Sequence, residues 1–89
     1  MNMKKVRLYG FEECPYCQEL KEIYEKDNID FDYIDINLDE NKEEIKRIME
    51  IGKTDSVPIV LVNKTILSPE VSFKSIKEAH ELTKKFLNG

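Results

Sequence analysis

The sequence predicts an α/β fold in the order βαβαββα, a four-stranded mixed sheet with helices on both faces. Three observations predict it. A strand-like run ending at Tyr9, a helical run opening at Pro15 and a second strand-like run from Asp30 form a βαβ unit of about thirty residues, which makes the first two strands parallel with a right-handed crossover. The apolar run Ile59-Val60-Leu61-Val62 meets the turn signal Asn63-Lys64 and returns as Thr65-Ile66-Leu67, an antiparallel hairpin. Two amphipathic segments of helical period lie between these units and after them.

In chain order, β1 spans Lys4 to Tyr9, alternating polar and apolar with Val6 and Leu8 on one face. Residues 10–13 form a loop. Pro15 opens α1, where its missing N–H would have no partner anyway. Leu20, Ile23, Tyr24 and Asp27 follow at helical spacing, and Asp27-Asn28 ends the helix. β2 runs from Asp30 to Asn37, with Phe31 and Tyr33 in one phase and a shift to Ile34 and Ile36. α2 runs from Asp39 to Ile51, with Ile45, Ile48, Met49 and Ile51 on one side and Gly52 as its C-cap. β3 is 59–62 and β4 is 65–67. Ser68-Pro69-Glu70 then reads as an N-cap, a first-turn proline and an acidic residue at the positive helix end. The apolar stripe of α3 follows as Phe73, Ile76, Ala79, His80, Thr83 and Phe86-Leu87. The expected strand order is β2-β1-β3-β4.

Eighty-nine residues suffice for one domain, so 1–89 is read as a single unit. The 40% apolar content supports a core without disulfide staples. A net charge of −4 argues against binding nucleic acid, which needs a positive surface. No apolar run approaches the ~20 residues of a membrane span, and Met1-Asn2-Met3-Lys4-Lys5 is followed by no signal-peptide core. A cytosolic monomer without a tightly bound cofactor is expected.

The two cysteines stand together as Cys14-Pro15-Tyr16-Cys17, after a strand and at the start of a helix. In a reducing compartment such a pair points to catalysis or metal binding ahead of a structural bridge. A thiolate is the nucleophile, and a helix N-terminus favours it. Pro15 has no N–H, so the Cys17 amide is the expected donor to the Cys14 sulfur. Glu12 and Glu13 oppose the thiolate; Lys21 offsets them. Cys14 is the expected attacking group, and Cys17, one turn on, the more buried resolving thiol. A lone pair of this spacing supplies half of a structural zinc site, and the only histidine, His80, lies in α3, so no metal is expected. Tyr24, Phe31 and Tyr33 read as scaffold.

Cys14-Pro15-Tyr16-Cys17 after a short strand, with Ser56-Val57-Pro58 before an apolar strand, resembles the dithiol glutaredoxins over nearly the whole chain. The resemblance implies a thioredoxin-like fold and a cis peptide before Pro58. It also implies that Val57 offers its backbone to an extended substrate, and glutathione as reductant and co-substrate. Tyr16 is expected to flank the substrate sulfur. Family members also usually carry a basic residue where Phe11 stands, and a Gly-Gly pair followed by aspartates where Ser68-Pro69, Glu70, Val71 and Ser72 stand. Lys46, ahead of Arg47 and Lys53, is the candidate cation, and Ser68 a candidate hydroxyl.

The resemblance implies disulfide-containing proteins as substrates, ribonucleotide reductase among them. Two alternatives stand beside this reading. One is a glutaredoxin-like donor reduced by thioredoxin reductase, given the altered positions. The other is a glutathione-ligated iron–sulfur dimer, against which Pro15 argues. The acidic residues Glu12, Glu13, Glu19 and Glu22 form either a solvated face or a surface that steers a basic protein toward Cys14.

Overall fold

A computed structural model of the chain describes residues 5–88. Its strands pair in the order β2-β1-β3-β4, as the sequence predicts. β1 (Val6–Gly10) runs parallel to β2 (Phe31–Asp35), with Leu8 opposite Tyr33 and Gly10 opposite Asp35. β3 (Ile59–Val62) runs antiparallel to β1, and β4 (Thr65–Leu67) pairs antiparallel to β3. The predicted start of β1, Lys4, lies outside the described residues.

Helices cover both faces. α1 (Pro15–Lys26) and α3 (Ile76–Asn88) bury Leu20, Tyr24, Ile76 and Ala79 against Val6, Leu8, Val60, Val62 and Leu67. α2 (Lys42–Gly52), entered through one turn of 3-10 helix at Asp39–Asn41, packs Ile45 and Ile48 on Tyr9 and Ile59. This arrangement corrects the expected phase shift in β2. Phe31 and Tyr33 join the α1–α3 core while Ile34 and Ile36 pack with α2, so the strand keeps one regular alternation. A strand buried on both faces is apolar in both phases.

Each helix layer also carries polar contacts, buried between α1 and α3 and partly buried beneath α2. Between α1 and α3, Thr83 donates its hydroxyl proton to the Ala79 carbonyl at 2.7 Å. The Tyr24 hydroxyl, 2.6 Å from Thr83 Oγ1, is therefore the donor to it. His80, read as part of the apolar stripe of α3, sits at the margin of the same interface, where its Nε2 meets Asp27 Oδ2 at 2.9 Å. Beneath α2, the Arg7 guanidinium takes both carboxylate oxygens of Glu44, at 2.9–3.2 Å, and reaches Asp32 at 3.3 Å. The Tyr9 hydroxyl donates to the same Glu44 at 2.5 Å.

Two further expectations are corrected. Gly52 is the last residue of α2, and the left-handed cap is Lys53 (φ 56°). Gly52 is needed for space: a Cβ there would stand 3.2 Å from Ile66 Cγ2 and 3.4 Å from the Ser68 side chain. The second correction concerns α3, which starts at Ile76, not at Ser68-Pro69-Glu70. Residues 68–73 form a tight loop in which Ser72 N–H donates to the Ser68 carbonyl and Glu70 N–H to the Phe73 carbonyl, with Glu70 at φ 67°. Phe73 is buried from this loop, not from the helix. The true cap is Ser75, whose hydroxyl accepts from Glu78 N–H at 3.1 Å, while Glu78 Oε1 accepts from Lys74 N–H at 2.8 Å. This is close to a capping box, Ser-x-x-Glu, that the sequence also contains. Pro69 thus removes no donor from the helix start.

Glu44→Ala should leave Arg7, whose side chain is only 14% exposed, with Asp32 as its remaining carboxylate, and take the acceptor from the Tyr9 hydroxyl. Losing such partners costs about 1–3 kcal/mol. Urea unfolding should read that loss, with the thiol chemistry unchanged.

Candidate active site

β1 ends at Gly10, and the loop after it turns the chain into α1 with Cys14 at the N-cap. The Cys17 amide donates to Cys14 Sγ at 3.2 Å, as the missing Pro15 donor predicts. The Cys14 amide is itself held by the Phe11 carbonyl at 3.2 Å. Both cysteines are free thiols. Cys14 is 7% exposed and Cys17 not at all, so the expected order of burial holds, although Cys14 is itself nearly covered.

Burial pushes the Cys17 thiol up to about 12, helped by its hydrogen bond to Cys14; the Phe11 backbone pulls the other way. Its position is tied to Gly10. A Cβ at Gly10 would lie 2.6 Å from Cys17 Sγ and 2.8 Å from Cys17 Cβ, so only a residue without a side chain lets α1 settle this close to β1. Lys21, expected to offset Glu12 and Glu13, lies over the Tyr33 ring at 4.9 Å.

The Val57–Pro58 peptide is cis, as expected. Val57 is half-buried, and neither its amide nor its carbonyl is hydrogen-bonded to another described residue. An open groove of about 700 Å³ runs from Tyr16, Ser56, Val57 and Pro58 to Lys74 and Lys77 at the start of α3. Tyr16 is 63% exposed on one wall. Glu19 and Glu70 also line it.

Not every candidate from the sequence reaches this groove. Lys46 is exposed on α2 and is not among the lining residues. Ser68 is 1% exposed, and its hydroxyl donates to the Gly52 carbonyl at 2.7 Å, so it braces the α2–β4 contact and faces no ligand. In their place stand Lys74 and Lys77. Reading α3 from Ser68 hid them, because it placed both inside the helix and away from its start. Among the described residues, no group of three or more His, Cys, Asp or Glu converges as a metal site, and no helix is long and apolar enough to cross a membrane.

A sheet of this order with a dithiol at its first helix defines a thioredoxin-like thiol–disulfide oxidoreductase. The family model described as Glutaredoxin matches residues 6–67, and the chain belongs to that family. Among solved structures, it is similar to a glutaredoxin from Archaeoglobus fulgidus, with 25% identity, a TM-score of 0.72, and coverage of 99% of this chain and 90% of that one. It is also similar to a variant of a thioredoxin-like protein (22% identity, TM-score 0.71, 92% and 97% covered). A dithiolic glutaredoxin from Trypanosoma brucei brucei gives 19% identity, a TM-score of 0.70, and 97% and 84% coverage. No curated protein matches.

Two outcomes follow from this geometry. Gly10→Ala should push Cys17 off β1 and cost about 1–3 kcal/mol, the usual penalty of overpacking, read as a lower unfolding midpoint and slower closure of the dithiol. The pH outcome rests on Cys17, raised from 9.0, and on Tyr9, Tyr24 and Tyr33, raised from 10.0, all to about 12 and all chiefly by burial. The folded state keeps protons that the unfolded chain releases, so their stabilisation is full below about pH 9 and is lost as pH climbs toward 12. A urea midpoint that is flat up to pH 8 and falls above 9 would display this.

Proposed function

We propose that the chain reduces protein disulfides and glutathione mixed disulfides by dithiol exchange, with Cys14 attacking, Cys17 resolving and glutathione as reductant. The observation that carries this is the Cys17 amide on the Cys14 sulfur, with the Cys17 thiol fully buried behind it. One sulfur has a helix-end donor for its anion; the other is held within reach and protected from outside disulfides.

The Cys14 thiolate forms a bond to one substrate sulfur and the other leaves as a thiolate. The Cys17 thiolate then attacks Cys14 Sγ, closing the internal disulfide and releasing the second substrate thiol. Two electrons have passed to the substrate. Two glutathiones return them, leaving as glutathione disulfide. The free Val57 amide and carbonyl support an extended peptide pairing alongside Tyr16. Glutathione carries two carboxylates and one ammonium, and the groove wall supplies Lys74 and Lys77 against Glu19 and Glu70. The reading includes a cytosolic monomer, where the pair is kept reduced, and disulfide-containing proteins such as ribonucleotide reductase as substrates.

A second reading keeps the dithiol step and takes electrons from thioredoxin reductase. It is favoured by the apolar Phe11 and by the absence of both Lys46 and Ser68 from the groove.

Turnover of a disulfide substrate coupled to glutathione and glutathione reductase tests the reductant, against a parallel assay with thioredoxin reductase. We expect turnover in the first; a rate only in the second would move the protein to the second reading. Cys14→Ser should abolish both. Cys17→Ser should stop at a mixed disulfide on Cys14, visible as added mass.

A further inference from the structure

Cys17 has to lose its proton and attack while buried, which asks what stabilises its anion. In the reduced state burial and the neighbouring Cys14 sulfur hold the proton on Cys17. Once Cys14 is bonded to a substrate sulfur, Cys17 has to carry the negative charge itself, and its anion needs hydrogen-bond donors.

One donor stands on the neighbouring strand. The point where a Gly10 Cβ would sit is 2.6 Å from Cys17 Sγ and 3.1 Å from the Tyr33 hydroxyl, so the two flank one gap over β1. Register puts the tyrosine there: Tyr33 pairs with Leu8, and Leu8 and Gly10 point to the α1 side of the sheet. Gln18 Nε2 donates to the Tyr33 oxygen at 3.2 Å and to the Phe11 carbonyl at 3.1 Å. The hydroxyl therefore accepts from Gln18, and its own proton is free to turn toward the sulfur. Lys21 over the ring favours negative charge beside it.

We propose that the Tyr33 hydroxyl, oriented by Gln18, donates a hydrogen bond to the Cys17 thiolate during the resolving step. This rests on the dithiol reading above. Tyr33 is a donor only and gives up no proton. Burial and the nearby Cys17 sulfur push its own ionisation up to about 12, so it stays protonated at neutral pH. The Cys17 proton leaves to solvent or to the thiolate released in the first step. The titratable and charged groups facing this gap are Cys14 and Lys21 from α1, with Tyr33 and Asp35 from β2; β1 contributes only Gly10, and the loop the Phe11 backbone.

The two steps separate in a stopped-flow reaction of the reduced protein with 5,5′-dithiobis(2-nitrobenzoate). Attack by Cys14 releases one coloured thiolate, and closure by Cys17 releases the second. In Tyr33→Phe, which removes a single oxygen, the first phase should stay within twofold of the parent. The second phase should slow about tenfold at neutral pH, in the range of hydrogen bonds to charged groups, and its pH midpoint should move upward. Gln18→Leu should slow the second phase by a smaller factor. A second phase unchanged in rate and midpoint in Tyr33→Phe would overturn the proposal while leaving the dithiol reading intact. A parent protein that releases no second thiolate would overturn the dithiol reading, and this proposal with it.

Discussion

The contact on which the rest of this molecule depends is the one between Cys17 and the bare backbone of Gly10. Helix α1 carries both thiols, and its distance from the sheet is set where its first turn meets the end of β1. With no side chain at Gly10, the Cys17 sulfur sits directly on the strand, fully buried. That depth raises its protonation and leaves Cys14 as the thiol at the helix end with an amide aimed at it. The difference in surroundings between two chemically identical side chains thus comes from a packing distance.

The two helix layers protect that distance in different ways. On the α1 side the contact is mainly apolar, and the Tyr24–Thr83–Ala79 chain adds direction by placing one tyrosine hydroxyl against α3. On the α2 side the Arg7–Glu44–Tyr9 group gives the sheet a polar anchor next to a smaller apolar cluster. A bidentate guanidinium–carboxylate pair has narrow geometric tolerance, so it fixes where α2 lies along β1. α2 in turn fixes Gly52, whose carbonyl holds Ser68 and so the start of the loop that leads to Phe73 and Lys74.

Much of this was legible in the sequence. The strand order, the parallel start and the dithiol at a helix end rest on short-range signals: a proline, a cysteine spacing, an apolar run with a turn after it; the cis bond before Pro58 followed from the resemblance to the dithiol glutaredoxins. What was not legible depended on contacts between distant residues. Ser68-Pro69-Glu70 reads as a helix start, while the structure starts α3 at Ser75-Ile76-Lys77-Glu78. That reading is overruled because the Ser68 hydroxyl is drawn to Gly52 and the backbone at Glu70 turns left-handed, which ends any helix there. β2 looked out of phase because both of its faces are partly covered, and alternation is only a clear signal when one face is fully wet. Tyr33 read as scaffold because its ring is scaffold; the position of its hydroxyl depends on the register of β1 against β2, which no local pattern carries.

The site divides along the same line. The parts that perform exchange lie within one turn of α1 and on the two strands beneath it, and their chemistry follows from distances inside the core. The groove beside them has a second wall, on the loop 68–75 and the first turn of α3, where exposed Lys74 and Lys77 stand free of the core packing. Charge on that wall can change without disturbing Cys17 or Gly10. A protein of this build can therefore keep one reaction and change the molecule that drives it. The departures at Glu70 and Val71 lie on that second wall, whereas Phe11 stands beside the dithiol and touches it only through its backbone carbonyl, which any residue would supply.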